Sequence, residues 1–243
     1  MAVDVDRARA LTPGCAHVAH LNNAGASLMP APVVDAVIEH LRLEARIAGI
    51  EAAEAAAERI DHAYDAVAGM LGCDAGEVAV VENATRAWDM AFYAVTSGLG
   101  PGDRILTGSS EYSSNAMAMG QVARRTGAEA VALPDDGCGQ IDLDALDDAL
   151  TDERVGLVAI THVPTHGGLV NPAAEVGRRC RAAGVAFLLD ACQSIGQLRV
   201  RVDEIGCDML SATGRKFLRG PRGTGFLYVR AGILGQLDPP FVD

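Results

Sequence analysis

The sequence predicts an α/β domain with a mainly parallel sheet flanked by helices. Short apolar or β-branched runs alternate with helical stretches, which is typical of strands joined by helical crossovers. The 243 residues are 49% hydrophobic and 21% charged, which is enough to build a full core and is normal for a globular protein. Because no internal repeat or low-complexity linker interrupts the pattern, we expect one domain over residues 21–243.

The first part of the chain precedes the predicted sheet. Residues 1–20 are expected to form a loose leader. Apolar side chains at helical spacing predict a helix over 32–48, and an alanine-rich stretch predicts a second helix over 51–71. After Gly72 the pattern changes to that of an α/β unit.

Seven apolar runs are predicted as strands, and the last of them is a candidate antiparallel strand. They are Val78–Val81, Arg104–Thr107, Ala130–Leu133, Val155–Ile160, Val185–Leu189, Met209–Ala212 and Gly225–Val229. The helices predicted between them are Ala84–Ser97, Ser114–Thr126, Leu143–Leu150 and Pro172–Ala183. Ligands of such sheets bind at the carboxyl ends of the strands, so the residues that follow each run are the candidates for function.

Charge and composition exclude several classes of function. The net charge of −12 and the aromatic content of 4% argue against a nucleic-acid or anionic-membrane surface. No apolar run is long enough to span a membrane, and the N-terminus lacks the pattern of a signal peptide. The six cysteines form no C-x-x-C pair, so we expect reduced thiols in a cytoplasmic protein.

Lys216 is the only lysine among the 20 basic residues. Codon bias towards arginine explains the missing lysines but leaves this one unexplained. Arginine stays protonated, whereas a lysine amine becomes a nucleophile when its pKa falls. Lys216 is therefore a candidate for covalent chemistry.

Small or polar residues follow the first two predicted strands in the order of the chain. Ala84 and Thr85 open a helix, where they either belong to an ordinary helix start or offer N–H groups to a phosphate. Tyr112 follows the second strand, either in a plain polar loop or as an aromatic face for a planar ligand.

The next two loops carry histidines and an acid. His162 and His166 are four residues apart, but Pro164 and the glycines that follow make a helical metal site improbable, so no metal is expected. Asp190 ends an apolar strand, where burial requires a partner, such as a ribose hydroxyl, a metal or a protonated ring nitrogen. The alternative is that Asp190 caps the next turn.

A glycine-rich turn surrounds Lys216. Hydroxyl, guanidinium and amine groups at 211–225 suit an anion, although the chain has neither a Walker loop nor a G-x-G-x-x-G fingerprint. Taken together, a phosphate site, a stacking aromatic, an acid on a strand end and a lysine are what pyridoxal 5′-phosphate (PLP) requires. A nucleotide-binding module remains the weaker alternative.

Four segments resemble the class V aminotransferase family, which includes cysteine desulfurases and isopenicillin-N-epimerase-like enzymes. The strongest is Thr-Gly-Arg-Lys at 213–216 followed by Gly-Pro-Arg-Gly-Thr-Gly at 220–225. Asp-Ala-Cys-Gln at 190–193, the segment 162–172 and Leu-Asn-Asn-Ala-Gly at 21–25 are similar to further family motifs. The resemblance implies the large domain of an aspartate aminotransferase-like fold and a C-terminal small domain that this chain does not contain.

The resemblance also implies roles for individual residues. Lys216 is implied as the catalytic Schiff-base lysine. The implied cofactor-binding residues are Lys216, Asp190, Gln193, Tyr112, Ala84, Thr85, Thr165, Thr213 and Arg215, and the implied substrate-binding residues are His166, Asn23 and Ala24. Asp190 is expected to pair with the pyridine nitrogen, and Gln193 is expected to reach the phenolic oxygen of the ring.

The implied function is PLP-dependent chemistry on a small amino acid, through an external aldimine and abstraction of the α-proton. An aminotransferase of class V type is the main interpretation, with a C–S lyase, desulfurase or epimerase as the alternative. A truncated, non-catalytic PLP-binding or interaction protein is a further alternative. We expect a homodimer that binds neither nucleic acid nor a membrane.

Overall fold

Residues 3–241, which the computed structural model describes, form a seven-stranded mixed sheet. Its strands are β1 (Val78–Val81), β2 (Arg104–Thr107), β3 (Glu129–Ala132), β4 (Val155–Thr161), β5 (Ala186–Asp190), β6 (Met209–Thr213) and β7 (Gly225–Val229). They lie in the order β1-β7-β6-β5-β4-β2-β3. Neighbours from β6 to β3 are parallel, whereas β7 runs antiparallel to β1 and β6. The predicted α/β class is confirmed, and each predicted strand lies within one residue of its observed bounds.

Helices cover both faces of the sheet. They are α1 (Val5–Ala10), α2 (Ala31–Ile47), α3 (Gly49–Ala55), α4 (Ala57–Leu71), α5 (Ala84–Val95), α6 (Ser113–Thr126), α7 (Leu143–Ala149), α8 (Ala173–Ala183) and α9 (Val202–Ile205). Apolar residues of α4, α7, α8 and α9 build the core on one face, and those of α5 and α6 build the core on the other. Successive residues of β5 alternate between the two cores, as a strand buried on both faces requires.

The structure differs from the sequence predictions in the N-terminal part. The predicted helix over 51–71 is two helices, because α3 ends and α4 begins at Ala56. The predicted leader is not loose over the described residues: Asp4 caps α1 by accepting a hydrogen bond from the Arg7 backbone N–H at 3.0 Å. Thr12 is buried, and the Arg219 side chain donates to its hydroxyl. Residues 1, 2, 242 and 243 lie outside the described residues.

The carboxyl ends of six strands converge at one edge of the sheet. β1 runs parallel to β6, because β7 is antiparallel to both, so all the strands from β1 to β6 end at this edge. Gly225 allows the start of α5 to approach the edge closely: a Cβ there would lie 2.8 Å from the Asn83 Cα and 2.8 Å from the Ala212 carbonyl oxygen. In the described part of the chain, no helix is both long and apolar enough to cross a membrane.

Candidate active site at the carboxyl edge of the sheet

A cleft opens at this carboxyl edge and brings together eight of the nine residues predicted to bind the cofactor. Its lining residues are Ala84, Thr85, Tyr112, Thr161, Thr165, Asp190, Cys192, Gln193, Arg215 and Lys216. Thr161 and Cys192 were not predicted. The ninth predicted residue, Thr213, ends β6 and accepts a hydrogen bond from Arg215 Nη1 at 3.0 Å. Residues that are up to 132 positions apart in the chain thus meet at one point.

Asp190 is the last residue of β5 and is only 5% exposed. Its Oδ2 accepts a hydrogen bond from Asn115 Nδ2 at 3.0 Å, and its Oδ1 accepts one from the Cys192 backbone N–H at 2.9 Å. Within the described part of the chain, no arginine or lysine forms an ion pair with this carboxylate. Asp190 is therefore a buried acid with neutral partners, and it can still accept a cationic group.

Lys216 lies in the turn after β6, and only 7% of it is exposed. The N-terminal segment holds this turn: Ser27 Oγ donates to the Lys216 carbonyl oxygen at 2.5 Å, and the Ser27 N–H donates to the Arg215 carbonyl oxygen at 2.9 Å. The Arg219 N–H also donates to the Lys216 carbonyl oxygen, at 3.0 Å. The backbone of the lysine is thus held from two parts of the chain, while its side chain lines the cleft.

Gln193 has spare hydrogen-bonding capacity at the cleft. Its Nε2 donates to the Ala24 carbonyl oxygen at 3.2 Å, whereas its buried Oε1 has no partner in the structure. Buried polar atoms are normally hydrogen-bonded, so an orphaned one beside a cleft indicates a group that binds there. Ala24, one of the predicted substrate-binding residues, is not among the residues that line the cleft and contacts Gln193 through this bond.

The N-terminus of α5 contributes an anion-binding end to the cleft. Asn83 caps the helix by accepting a hydrogen bond from the Arg86 N–H at 2.9 Å. The N–H groups of Ala84 and Thr85 belong to the first turn, where a helix has no internal partner for them. Together with the guanidinium of Arg215 they can hold a phosphate. The sequence left helix capping and anion binding as alternatives. In the structure the side chain of Asn83 caps the helix, which leaves the N–H groups of Ala84 and Thr85 for an anion.

Sequence reasoning missed a network behind Tyr112. Glu111 Oε1 accepts hydrogen bonds from the Tyr112 N–H at 2.7 Å, from Thr161 Oγ1 at 2.5 Å and from Asn115 Nδ2 at 2.9 Å. Burial, assisted by the negative charge of Asp190, raises the pKa of Glu111. The four-residue spacing of Glu111 and Asn115 across the start of α6 was the available signal. Tyr112 itself is 40% exposed and lines the cleft.

The loop after β4 contains one buried histidine and one exposed histidine. His162 is buried, its Nδ1 has no hydrogen-bond partner among the described residues, and burial lowers its pKa to about 4. His166 is exposed and does not line the cleft. Asn23 lies in a different surface cavity, beside α1 and Arg219. The substrate-binding roles of His166 and Asn23 therefore stay predictions, and residues 3–241 contain no cluster of three or more potential metal ligands.

Cys192 is the one thiol among the lining residues of the cleft. Burial, assisted by the negative charge of Asp190, raises the pKa of this thiol well above its ordinary value. It therefore stays protonated at neutral pH. A thiol, unlike a thiolate, is a poor nucleophile, so Cys192 is not expected to act as the nucleophile of this cleft.

Comparisons with known proteins agree with this geometry. A family model described as "Aminotransferase class-V" matches residues 19–242. A probable cysteine desulfurase of Halobacterium salinarum is 31% identical over 98% of the chain, and a probable hercynylcysteine sulfoxide lyase of Mycobacterium tuberculosis is 33% identical over 96%. The chain covers 60% of the first relative and 56% of the second, so it spans little more than half of their length.

A solved structure shows the same architecture. The apo structure of a cysteine desulfurase from Thermococcus onnurineus superimposes on the whole chain with a TM-score of 0.90 and 26% sequence identity, and 60% of that chain is covered. The family model covers more than half of the chain, and the solved structure shares its fold. On these grounds the chain belongs to the class V aminotransferase family.

Proposed function

We propose that the cleft binds PLP and that the protein acts on a small amino acid. The observation that carries the proposal is the meeting of Lys216 with Asp190 in one cleft. The first is the only lysine of the chain, and the second is a buried carboxylate without a cationic partner among the described residues. Because the chain spans only part of the length of its relatives, the activity of the whole protein, its substrate and its partners are all part of this proposal.

The residues at the cleft fit the chemical groups of PLP. The aldehyde requires an amine, which Lys216 offers, and the ring nitrogen requires an acid, which Asp190 offers. The phosphate suits the start of α5 together with Arg215 and Thr213, and Tyr112 offers an aromatic face. The unpartnered Oε1 of Gln193 supports the proposal that a polar group of a ligand completes the hydrogen bonding there.

The bound cofactor supplies an electron sink for negative charge at the substrate α-carbon. Lys216 would hold the cofactor through Nζ, and the same nitrogen, when free, would accept the α-proton as a general base. The carboxylate of Asp190 would keep a proton on the ring nitrogen. Thr165, His166, Asn23 and Ala24 remain proposals for contacts with the ring or the substrate.

The names of the relatives favour carbon–sulfur bond cleavage over transamination. Cysteine desulfurases and a sulfoxide lyase are among them. We therefore place C–S cleavage of a cysteine-like amino acid first, with transamination and epimerisation as alternatives that share the removal of the α-proton. The division into a leader at 1–20 and a large domain at 21–243, a homodimeric assembly and a cytoplasmic location also remain proposals.

A visible absorption spectrum with added PLP, recorded before and after a panel of amino acids is supplied, tests this proposal. We expect a visible band that requires Lys216, a change in that band with cysteine or a cysteine derivative, and sulfide or pyruvate among the products. Lys216→Arg is the control, because it keeps the positive charge and loses the nucleophilic amine. A wild-type chain that gives no band at millimolar PLP would overturn the proposal.

A further inference from the structure

Asn115 bridges two carboxylates beside the cleft. It lies in the first turn of α6 and is only 2% exposed. Its Nδ2 donates to Glu111 Oε1 at 2.9 Å and to Asp190 Oδ2 at 3.0 Å. An amide nitrogen carries two hydrogens, so each carboxylate receives one. The amide oxygen cannot replace the nitrogen here, because it would face Glu111 Oε1, which already accepts two other hydrogen bonds, and the acceptor Asp190 Oδ2.

Other bonds hold Glu111 in place, so the bridge has a fixed end. Its Oε1 also accepts from the Tyr112 N–H and from Thr161 Oγ1, and its Oε2 accepts from Thr107 Oγ1 at 3.1 Å. Thr107 ends β2, and Thr161 ends β4. Glu111 is thereby tied to two strand ends, whereas the carboxylate of Asp190 accepts from Asn115 Nδ2 and from the Cys192 N–H.

We infer that Asn115 is a positioning residue for Asp190, and that its amide, held by Glu111, fixes the orientation of the carboxylate that faces the ring nitrogen of the cofactor. The inference rests on the proposed function. Asn115 is not among the residues that line the cleft, so its effect on a bound group passes through Asp190. A carboxylate held by one backbone N–H alone could rotate away from the geometry that a ring N–H requires.

Asn171 is a matched control for Asn115. It is also a buried asparagine, 4% exposed, but its side chain bonds only to backbone: Nδ2 donates to the Thr161 carbonyl oxygen at 2.8 Å, and Oδ1 accepts from the Ile141 N–H at 3.1 Å. Replacing either residue with alanine leaves buried partners unbonded and lowers stability. Only the replacement of Asn115 is expected to change how the cleft holds PLP.

The test is a double-mutant cycle on PLP binding, with the dissociation constant and the position of the visible band as readouts. Asn115→Ala is expected to weaken binding about tenfold, because it removes a hydrogen bond to a charged group, and to shift the band in the same direction as Asp190→Ala. In the Asp190→Ala background the same change is expected to weaken binding by less than about twofold. Asn115→Asp, which is isosteric but lacks the donor, is expected to weaken binding at least as much as the alanine variant.

Three results would overturn the inference. Unchanged PLP affinity and band position in Asn115→Ala would show that Asp190 does not need this amide. An equal loss in the Asp190→Ala background, or an equal loss and an equal band shift in Asn171→Ala, would show that the effect is one of general stability. These results differ from a failure of the proposed function, in which the wild-type chain itself gives no visible band and both proposals fall together.

Discussion

Two buried aspartates lie at opposite ends of the neighbouring strands β5 and β6. Asp190 ends β5 and Asp208 immediately precedes β6, and they are 5% and 9% exposed. Each accepts a backbone N–H: Cys192 donates to Asp190 at 2.9 Å, and Phe187 donates to Asp208 at 2.8 Å. The difference is the second partner, which is the guanidinium of Arg230 for Asp208 and the neutral amide of Asn115 for Asp190.

This difference separates an aspartate that stabilises the fold from one that is available for chemistry. The ion pair with Arg230 satisfies Asp208 within the fold, as buried charges in proteins usually are. Asp190 receives only neutral donors among the described residues, so it can still pair with a cationic group. Two buried side-chain atoms without a hydrogen-bond partner among residues 3–241, His162 Nδ1 and Gln193 Oε1, also follow the carboxyl ends of β4 and β5.

Lys216→Arg tests the chemical role of the carboxyl edge, and it is expected to have the largest effect of these substitutions. Borohydride reduction in the presence of PLP is expected to label one peptide of the wild-type chain, the one that contains Lys216. The arginine variant is expected to give no label within the chain, because a guanidinium does not form the covalent bond. Peptide mapping by mass spectrometry measures this result. Label found only at the N-terminal amine of the wild-type chain would contradict the role of Lys216.

Asp190→Ala is expected to slow exchange of the substrate α-proton by about 10²–10³-fold, because the acid that supports the electron sink is lost. The free energy of unfolding is expected to fall by about 1–2 kcal/mol, because the Asn115 amide and the Cys192 N–H lose their acceptor. Proton exchange followed by NMR and urea denaturation measure the two effects. Exchange at the wild-type rate would leave Asp190 with the role of capping the next turn.

The sequence predicted most of the fold, because buried strands carry a strong local signal. Each of the seven apolar runs matched a strand, and the antiparallel direction of β7 was also expected. The break at Ala56 was missed because alanine carries no side-chain signal for the end of a helix. The helix at the N-terminus was missed although Asp4, a common cap residue, precedes it.

The candidate site was predicted less completely than the fold. The residues that line the cleft follow strand ends, where a rule of topology places ligands, so eight of them were predicted. The bond between Asn115 and Asp190 joins residues 75 positions apart, and no local pattern predicts such a contact. Asn23 and His166 came from resemblance to motifs alone, and the structure does not bring them into the cleft.

The buried His162 at the carboxyl edge is expected to make the stability of the fold depend on pH. Its pKa is lowered from 6.5 to about 4 by burial, so between these values the unfolded chain binds a proton that the folded chain does not. Stability is therefore lost as the pH falls from about 7 to 4, and the contribution of His162 is about 3 kcal/mol. Urea denaturation at several pH values should show this loss in the wild type and not in His162→Phe. His17→Gln replaces an exposed histidine and is the control, because it should lose stability with falling pH as the wild type does. If His162→Phe lost as much stability as the wild type between pH 7 and 4, buried His162 would not be the cause.

Asp208→Ala tests the other aspartate of the comparison, and it is expected to have the smallest effect of these substitutions. The substitution leaves the Phe187 N–H buried without a partner and removes the carboxylate that binds Arg230. We expect a loss of about 2 kcal/mol in the free energy of unfolding. Asp203→Ala is the control: its carboxylate is exposed and pairs with Arg201 at the surface, so the loss of stability is expected to be smaller than in Asp208→Ala.

The decisive measurement for Asp208→Ala is PLP affinity at a temperature where the variant is folded. Asp208 lies at the amino edge of the sheet, and it is not among the residues that line the cleft. We therefore expect the affinity to stay within about twofold of the wild type, while the denaturation midpoint falls. If Asp208→Ala weakened PLP binding as much as Asp190→Ala does, the two aspartates would not have separate roles. The ion pair of Asp208 with Arg230 would then not be what separates a carboxylate that stabilises the fold from one that binds the cofactor.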